Sequence, residues 1–326
     1  MILYIIRRFI NYAILTAIAT VMAYMLASTV LNPATRYYGK NPRPSDDTVN
    51  RILSGLGVNP HVPLIERTFT WFTNIILHGS FGDSVSGTTV GHEILVRSGV
   101  SLKLLLAGSI IGALLGVTLG VWGAVKQYKA SDQFVTYASF LVLATPVFVI
   151  GVLLMILTTW INSTTGHQFI NFTGEYTPTV EGFWPVIWDR LGHLLLPTIA
   201  LSMLGAAEYS RYQRNAMLDV LSADYIRTAR SKGRTRNSAL IRHGVRVALI
   251  PMSTYFAYSF GTLIAGSTFL EKIFSWHGMG EFALDSIVKN DINGTAGSVF
   301  YVAVLLLISS TLAEVLYAAL DPRVRI

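Results

Sequence analysis

Six long apolar segments, none of them containing a charged side chain, dominate this 326-residue sequence. Each is comparable in length with the roughly 20 residues that a helix needs to cross about 30 Å of hydrocarbon. Charged residues make up only 13% of the chain, about half the share usual in soluble domains. We therefore predict an all-α membrane protein with six transmembrane helices, at Phe9–Leu31, Leu104–Val125, Phe134–Ile161, Leu191–Ala207, Val247–Leu270 and Ala296–Ala313.

The distribution of lysine and arginine predicts the orientation of these segments, because short basic loops stay on the cytoplasmic side. Nine basic residues occupy Arg211–Arg246, whereas the short loops of the opposite side carry three; the six in the long 32–100 segment do not count against this, because long loops cross regardless of charge. Further basic residues on the predicted cytoplasmic side are Arg7, Arg8, Lys126, Lys129, Arg323 and Arg325. Both termini are therefore predicted to be cytoplasmic. The apolar run after Arg8 exceeds the roughly 7–15 residues of a signal-peptide core, so we expect a retained helix.

The stretch from Ser222 to Pro251 combines basic residues with helix-capping signals. Ser222 suits an N-cap, Asp224 the first turn, and Gly233 a left-handed position after the last turn. This pattern predicts a short helix over Ala223–Lys232, about 15 Å long at ~1.5 Å per residue, and a second helical run from about Ser238. The alternative is that the loop only marks the cytoplasmic side and lies near anionic lipid.

The same loop resembles that of a known family. Arg227-Thr228-Ala229, Gly233 and Ile250-Pro251 stand at the spacing of a Glu-Ala-Ala, glycine and hydrophobic-proline pattern. That pattern is characteristic of permeases of binding-protein-dependent ABC importers. Tyr225–Gly233 also matches the string Tyr-Ile-Arg-Thr-Ala-Arg-Ala-Lys-Gly at every position except Ser231. This string is typical of the oligopeptide, dipeptide and nickel branch, which the chain therefore resembles.

Other motifs of that branch recur along the chain. A Leu-Gly turn followed by prolines, a Gly-x-Phe-Gly-x-Ser motif and a Glu-x-x-Phe-x-Trp-Pro-Gly-x-Gly motif are all recognisable, with His277 in place of the proline. These residues are Leu56-Gly57, Pro60, Pro63, Gly79–Ser84, Glu271, Phe274-Ser275-Trp276, Gly278, Gly280 and the C-terminal Leu320–Arg323.

The resemblance implies a type I permease fold: an N-terminal transmembrane helix at 1–31, an extracytoplasmic segment at 32–100, and a five-helix core at 101–326 with a coupling loop at 211–246. It implies peptide import through a path formed with a homologous second permease in a bacterial plasma (inner) membrane, in contact with membrane lipid. Two ATPase subunits would bind ATP and Mg, and an extracytoplasmic peptide-binding protein would deliver the substrate. The residues expected to couple to the ATPase are Asp224, Tyr225, Arg227, Thr228, Ala229, Arg230, Lys232, Gly233 and Pro251.

Sequence signatures of catalysis are absent. The chain has no cysteine, no Gly-x-x-x-x-Gly-Lys-[Ser/Thr] phosphate loop, no His-Glu-x-x-His and no Gly-x-Ser-x-Gly. We expect no catalytic residue, metal site or cofactor in this chain, and no nucleic-acid partner because no aromatic residues alternate with the arginines. The alternatives are an ion-gradient-driven secondary transporter, a membrane scaffold, or an ABC permease for nickel, glutathione or haem. The sequence assigns no substrate-binding residues.

Ionisable residues at the apolar segments invite functional hypotheses. Glu208 and Glu314 are expected near the cytoplasmic ends of their helices, with Arg211 available to Glu208 for an i, i+3 ion pair; a proton relay is the alternative. His193 is expected to form hydrogen bonds inside the bundle. Lys103 is expected to extend to the outer interface.

Small residues, prolines and aromatic residues suggest packing sites. Glycines recur every four residues along the second segment and predict a close helix-packing face, which we assign to a partner permease; they are Gly108, Gly112, Gly116 and Gly120. Prolines predict kinks, with hinges as the alternative, at Pro146, Pro197 and Pro251. A half-apolar helix over Pro63–Leu77 would place Trp71 and Phe72 at the membrane interface.

Overall fold

The computed structural model describes residues 2–168 and 170–320. Leu320 is therefore the last described residue, and Arg323, Arg325 and most of the C-terminal motif lie outside the described residues. The described chain is helical, as predicted. Its α-helices are α1 (Ile2–Val30), α2 (Thr35–Tyr38), α3 (Asp46–Gly55), α4 (Leu64–His78), α5 (Val90–Val125), α6 (Ala130–Ala144), α7 (Val147–Thr165), α8 (Phe183–Leu221), α9 (Asp224–Ser231), α10 (Arg236–Ala239), α11 (Arg246–Ala248), α12 (Ile250–Ile273), α13 (Met279–Val288) and α14 (Ile292–Leu320), with a π-helix at Leu240–Val245.

Five stretches of the described chain are long and apolar enough to cross a membrane. They are Ile6–Tyr38, Val90–Val125, Val147–Thr165, Phe183–Leu221 and Ile292–Tyr317. The all-α membrane class is confirmed. The fifth predicted segment forms α12 but is not among these five, so the count of six crossings stays a prediction.

The third predicted segment is two helices, not one kinked helix. α6 ends at Ala144 and α7 begins at Val147, with Thr145 extended (φ −100°, ψ 124°) between them. A residue before proline is driven out of the helical region, and Pro146 lacks the N–H that a continuous helix would need. By contrast, Pro197 lies inside α8 without ending it.

α5 and α8 extend furthest beyond the apolar segments from which they were predicted. α5 begins at Val90, inside the stretch predicted to be an outer segment, and α8 continues to Leu221, inside the stretch predicted to be a loop. Met217 and Val220 near the end of α8 are buried in an apolar cluster. Tertiary packing therefore stabilises the helix beyond the apolar stretch of α8, and a hydropathy profile does not predict that extension.

The chain divides into two compact units. The core unit contains residues 1–6, 103–276 and 308–326, and the N-terminal unit contains residues 7–102 and 277–307.

The core unit is organised around α8. The predicted glycine face exists, but it packs on α8 of the same chain, which corrects its assignment to a partner permease. A Cβ on Gly112 would lie 3.1 Å from the Ser202 carbonyl oxygen, and one on Gly120 would lie 2.6 Å from that of Ser210. Side chains at these positions would force the two helices apart.

The N-terminal unit has its own apolar core, in which the Trp71 ring stacks on Tyr24 at a centroid distance of 4.4 Å. Trp71 is therefore buried within this core, and its indole Nε1 donates to the Phe81 carbonyl, 2.9 Å away; a position at the membrane interface stays a prediction. Asn293 connects the Leu-Gly turn with the Gly-x-Phe-Gly-x-Ser motif, because its Nδ2 donates to the carbonyls of Leu56 (2.9 Å) and Asp83 (3.0 Å).

The ionisable residues singled out in the sequence have local partners. Glu208 lies in the middle of α8, not near its end, and is hydrogen-bonded to Tyr255. Arg211 lies over the Phe140 ring, 4.6 Å from its centroid, where an ion pair with Glu208 was expected. The prediction for His193 is confirmed: it is buried, with Nδ1 3.0 Å from the Gly174 carbonyl oxygen.

Lys103 and Glu314 complete this group. Lys103 forms an ion pair with Glu175. Glu314 lies in the last two turns of the described part of α14, as expected for a residue near a helix end.

Candidate functional site

The predicted short helix of the basic loop is α9, which spans eight residues and therefore about 12 Å at ~1.5 Å per residue. Asp224 is in its first turn, as predicted. Ser222 is not its N-cap: that position is Ala223, in an extended conformation, and no side chain caps the helix. Ser222 instead caps the end of α8, and its hydroxyl donates to the Asp219 carbonyl at 3.0 Å. α9 begins so soon after α8 that Ser222 is the C-cap of α8 and not the N-cap of α9.

The C-terminal end of α9 forms a Schellman motif. Gly233 has φ +85°, the left-handed conformation predicted for it. The Gly233 N–H donates to the Arg230 carbonyl (3.0 Å), and the Arg234 N–H donates to the Ala229 carbonyl (3.3 Å). These are the two hydrogen bonds that define the motif, so the chain turns away from α9 abruptly at a fixed residue.

One face of α9 packs against α5 and α8 of the core unit. Ile226 is its buried residue and packs in an apolar cluster with Ala124 of α5, Met217 and Val220 of α8, and residues that follow α9. Ala229, three residues on, is half-buried. Residues three apart lie on the same side of a helix, so these two hold α9 against the bundle.

The rest of the α9 surface is exposed and carries several cations. The remaining predicted coupling side chains are all exposed: Asp224, Tyr225, Arg227, Thr228 and Arg230 on the helix, and Lys232 directly after it. Asp224 and Arg227 form an ion pair of 3.6 Å with side chains 95% and 81% exposed. Such exposed pairs contribute little to stability, so both groups are free to exchange partners. Partial burial raises the pKa of the Tyr225 hydroxyl.

The chain returns to the membrane helices through a π-helix. Thr235 Oγ1 accepts a hydrogen bond from the Ser238 N–H at 3.4 Å, so the second helical run begins slightly earlier than Ser238, at Arg236. Within the π-helix, a Cβ on Gly244 would lie 3.1 Å from a methyl of Val220, so this glycine lets the returning chain pack closely on α8. Wide turns of this kind often mark functional segments.

Pro251 is exposed in the first turn of α12, where the missing N–H of proline costs no helical hydrogen bond. It therefore lies on a different element from the other predicted coupling residues. Asp224 to Gly233 form one continuous surface segment, to which Pro251 does not belong.

A partly buried ion pair that sequence reasoning missed supports the base of this loop. Arg214 of α8 binds Asp132 of α6 in a bidentate manner, with Nε to Oδ1 at 2.7 Å and Nη2 to Oδ2 at 2.8 Å. The Tyr128 N–H also donates to Asp132 Oδ2, at 2.9 Å. Arg214 holds the pKa of the Asp132 carboxyl below its usual range. In the sequence, Asp132 precedes the third apolar segment and Arg214 follows the fourth. This arrangement does not predict that the two side chains are in contact.

Comparisons with known proteins identify the family to which this chain belongs. Residues 116–326 match the family described as binding-protein-dependent transport system inner membrane component. The chain is 44% identical over 324 residues to the oligopeptide transport system permease protein OppB of Mycobacterium tuberculosis, covering 99% of each chain. It is 33% identical to the oligopeptide transport system permease protein AppB of Bacillus subtilis, covering 98% of each.

A third relative is more distant. The dipeptide transport system permease protein DppB of Escherichia coli is 32% identical over 290 residues, covering 84% of each chain. The family is a transport component rather than a catalytic enzyme, and its name and the apolar helices agree on a multi-pass inner-membrane protein. The chain thus belongs to the family of inner-membrane permease components of binding-protein-dependent transport systems.

Proposed function

We propose that this chain is a permease subunit of an ATP-driven peptide importer and that α9 is the element that docks on an ATPase subunit. The relatives named as oligopeptide and dipeptide permeases support the substrate class. The observation that carries the docking proposal is the division of α9 into a buried face at Ile226 and an exposed surface with several cations, ended by a Schellman motif. A positive-inside signal requires charge, but it requires neither the fixed end nor the anchored face.

Coupling requires an element that moves as a unit between two positions. In this proposal α9 is that element, because Ile226 ties it to α5 and α8, and Gly233 fixes the direction of the chain that leads to α12. Movement of an ATPase groove would displace α9 together with the ends of α8 and α12. The exposed cations Arg227, Arg230 and Lys232 would contact acidic groups of that groove.

The remaining parts of the transporter are assigned by the same proposal. Two ATPase subunits bind ATP and Mg, since this chain has no phosphate loop. A homologous second permease completes the translocation path, and an extracytoplasmic binding protein delivers the peptide. This chain supplies half of the path and no step of the hydrolysis.

The test compares the isolated chain with the assembled transporter. Reconstituted with its second permease, ATPase subunits and binding protein, the chain should support ATP-dependent uptake of radiolabelled peptides. Alone, it should neither bind nor hydrolyse ATP. Hydrolysis by the isolated chain, ion-driven uptake without ATPase subunits, or uptake of nickel, glutathione or haem in place of peptides would contradict the proposal.

We also propose cytoplasmic termini, an extracytoplasmic position for 32–100 and six crossings. Because the chain contains no cysteine, single introduced cysteines report sidedness directly. Asp46 and Arg227 are suitable sites, with side chains 82% and 81% exposed. In intact cells, Asp46→Cys should react with a membrane-impermeant maleimide, whereas Arg227→Cys should react only after permeabilisation. The reverse labelling would overturn the orientation.

A further inference from the structure

The N-terminal unit contains a cleft of about 470 Å³ that the transport proposal leaves without a role. One wall is α4, which contributes Arg67, Trp71 and Asn74 at i, i+4 and i+7 on one helix face. The other wall is formed by the Leu56-Gly57 turn and by Gly82-Asp83 of the Gly-x-Phe-Gly-x-Ser motif. The volume lies within the range of about 300–1,000 Å³ typical of small-molecule sites.

Arg67 is the unusual residue of this cleft, because its side chain is buried and forms no ion pair with a described residue. It is only 9% exposed, and its Nη1 donates to the Val58 carbonyl at 3.1 Å. Its Nε is buried and has no hydrogen-bond partner within the described part of the chain. A second cavity, of about 540 Å³, also reaches this side chain. A buried cation is strongly unfavourable unless it is paired, so this side chain is suited to bind an anionic group.

The other residues that line the cleft indicate which further groups a bound anionic ligand would carry. Glu66 and Asp83 are exposed carboxylates among the lining residues, and Asn59 and Asn74 add amide groups. Trp71 lines the cleft with an indole held in place by its hydrogen bond to Phe81 and its stacking on Tyr24. A buried cation, exposed anions, amides and a fixed aromatic wall complement a carboxylate, an ammonium group, a peptide bond and an apolar side chain.

We propose that this cleft binds a short peptide, with the C-terminal carboxylate on Arg67 and the N-terminal ammonium group towards Glu66 and Asp83. This inference rests on the proposed function for its substrate class. The cleft would then hold peptide on the permease itself, in the part of the chain predicted to face outward. Arg67 would act as a specificity-determining residue, since a guanidinium binds a free carboxylate more strongly than an uncharged amide.

Calorimetric titration of the purified full-length chain with the dipeptide Ala-Phe tests the proposal. We expect saturable binding of Ala-Phe and about 10- to 100-fold weaker binding of its C-terminal amide, because the amide leaves Arg67 unpaired. N-acetylation should weaken binding less, since Glu66 and Asp83 are exposed. The amide comparison leaves the protein unaltered, so its result does not depend on the folding of a variant.

Two substitutions complete the test. Arg67→Met should reduce Ala-Phe affinity by a similar factor and abolish discrimination against the amide. Arg51→Met removes the same charge from the exposed surface of α3, outside the cleft, and should leave binding unchanged. Absence of Ala-Phe binding to the wild-type chain, or equal affinity for acid and amide, overturns the inference.

The failure of this inference is distinguishable from failure of the proposed function. If the assembled transporter imports peptides but the isolated chain does not bind Ala-Phe, the function stands and the cleft proposal falls. If the isolated chain binds Ala-Phe as expected but the assembled transporter imports no peptide, the cleft proposal stands and the transport proposal falls.

Discussion

Gly233→Val should yield a correctly inserted protein that has lost at least 90% of its transport activity and binds its ATPase weakly. Gly233 has φ +85°, and beyond its own chain neighbours no atom of the described residues lies within 4 Å of the position that a Cβ would occupy. The penalty is therefore conformational rather than steric: about 1–2 kcal/mol for a left-handed L-residue, and more for a β-branched one. Relief of that strain would open the Schellman motif and let α9 extend or tilt.

A graded series and a matched control make this prediction specific. Asparagine tolerates the left-handed conformation better than alanine or valine, so transport should fall in the order Asn, Ala, Val at position 233. Gly166 ends α7 with φ +68° and is equally unobstructed, but it lies away from the loop. Gly166→Val should therefore carry the same strain and retain transport.

The measurements are peptide uptake and co-purification of the ATPase subunits. Normal uptake by Gly233→Val, together with an insertion defect in Arg227→Glu, would make the loop a topology signal and refute the coupling role.

Asp132→Asn should destabilise the protein by about 2–3 kcal/mol, because removing one partner of a partly buried ion pair leaves the Arg214 charge uncompensated. The Asp132 side chain is 3% exposed and that of Arg214 is 24% exposed. A loss of this size should lower the thermal unfolding midpoint of the purified chain by about 3–5 °C. Because the pair supports the end of α8, where α9 is anchored, transport should fall as well.

The pH dependence of this effect follows from the lowered pKa of Asp132. A carboxyl with a lowered folded-state pKa stabilises the protein above its unfolded pKa of about 3.9, and this contribution disappears as the pH falls through the folded value. The difference between wild type and Asp132→Asn should therefore be constant at neutral pH and shrink below about pH 4.

Two comparisons isolate the ion pair. Asp132→Asn combined with Arg214→Leu should be more stable than Asp132→Asn alone, because no unpaired charge remains. Asp46→Asn breaks an exposed pair with Arg43 and should cost less than about 1 kcal/mol. Equal midpoints for wild type and Asp132→Asn at neutral pH would show that the pair does not stabilise the fold.

The sequence by itself determined the features that depend on local chemistry. The length and apolarity of the segments indicated a helical membrane protein, because an isolated stretch of chain carries that information. The left-handed Gly233 and the position of Asp224 in α9 followed for the same reason, since a helix end is decided by residues within one or two turns. The loop string was also sufficient to indicate the family.

The tertiary structure alone decided which surfaces meet. The glycine face of α5 was visible in the sequence, but its partner is α8 of the same chain and not a second subunit. Asp132 and Arg214 are 82 residues apart, and no periodicity relates them. Ser222 satisfied the rules for an N-cap, yet it caps α8 because that helix runs further than its apolar core.

The burial of Trp71 and of Arg67 was also decided by tertiary packing. Both lie on a helix whose pattern is only half-apolar, and the chain segments that cover them come from α1, the Leu56-Gly57 turn and the loop at Phe81. Contacts between distant segments depend on how helices fit together, which a single sequence does not encode position by position. Local conformation could therefore be predicted from the sequence, whereas the partners of each buried group were set by packing.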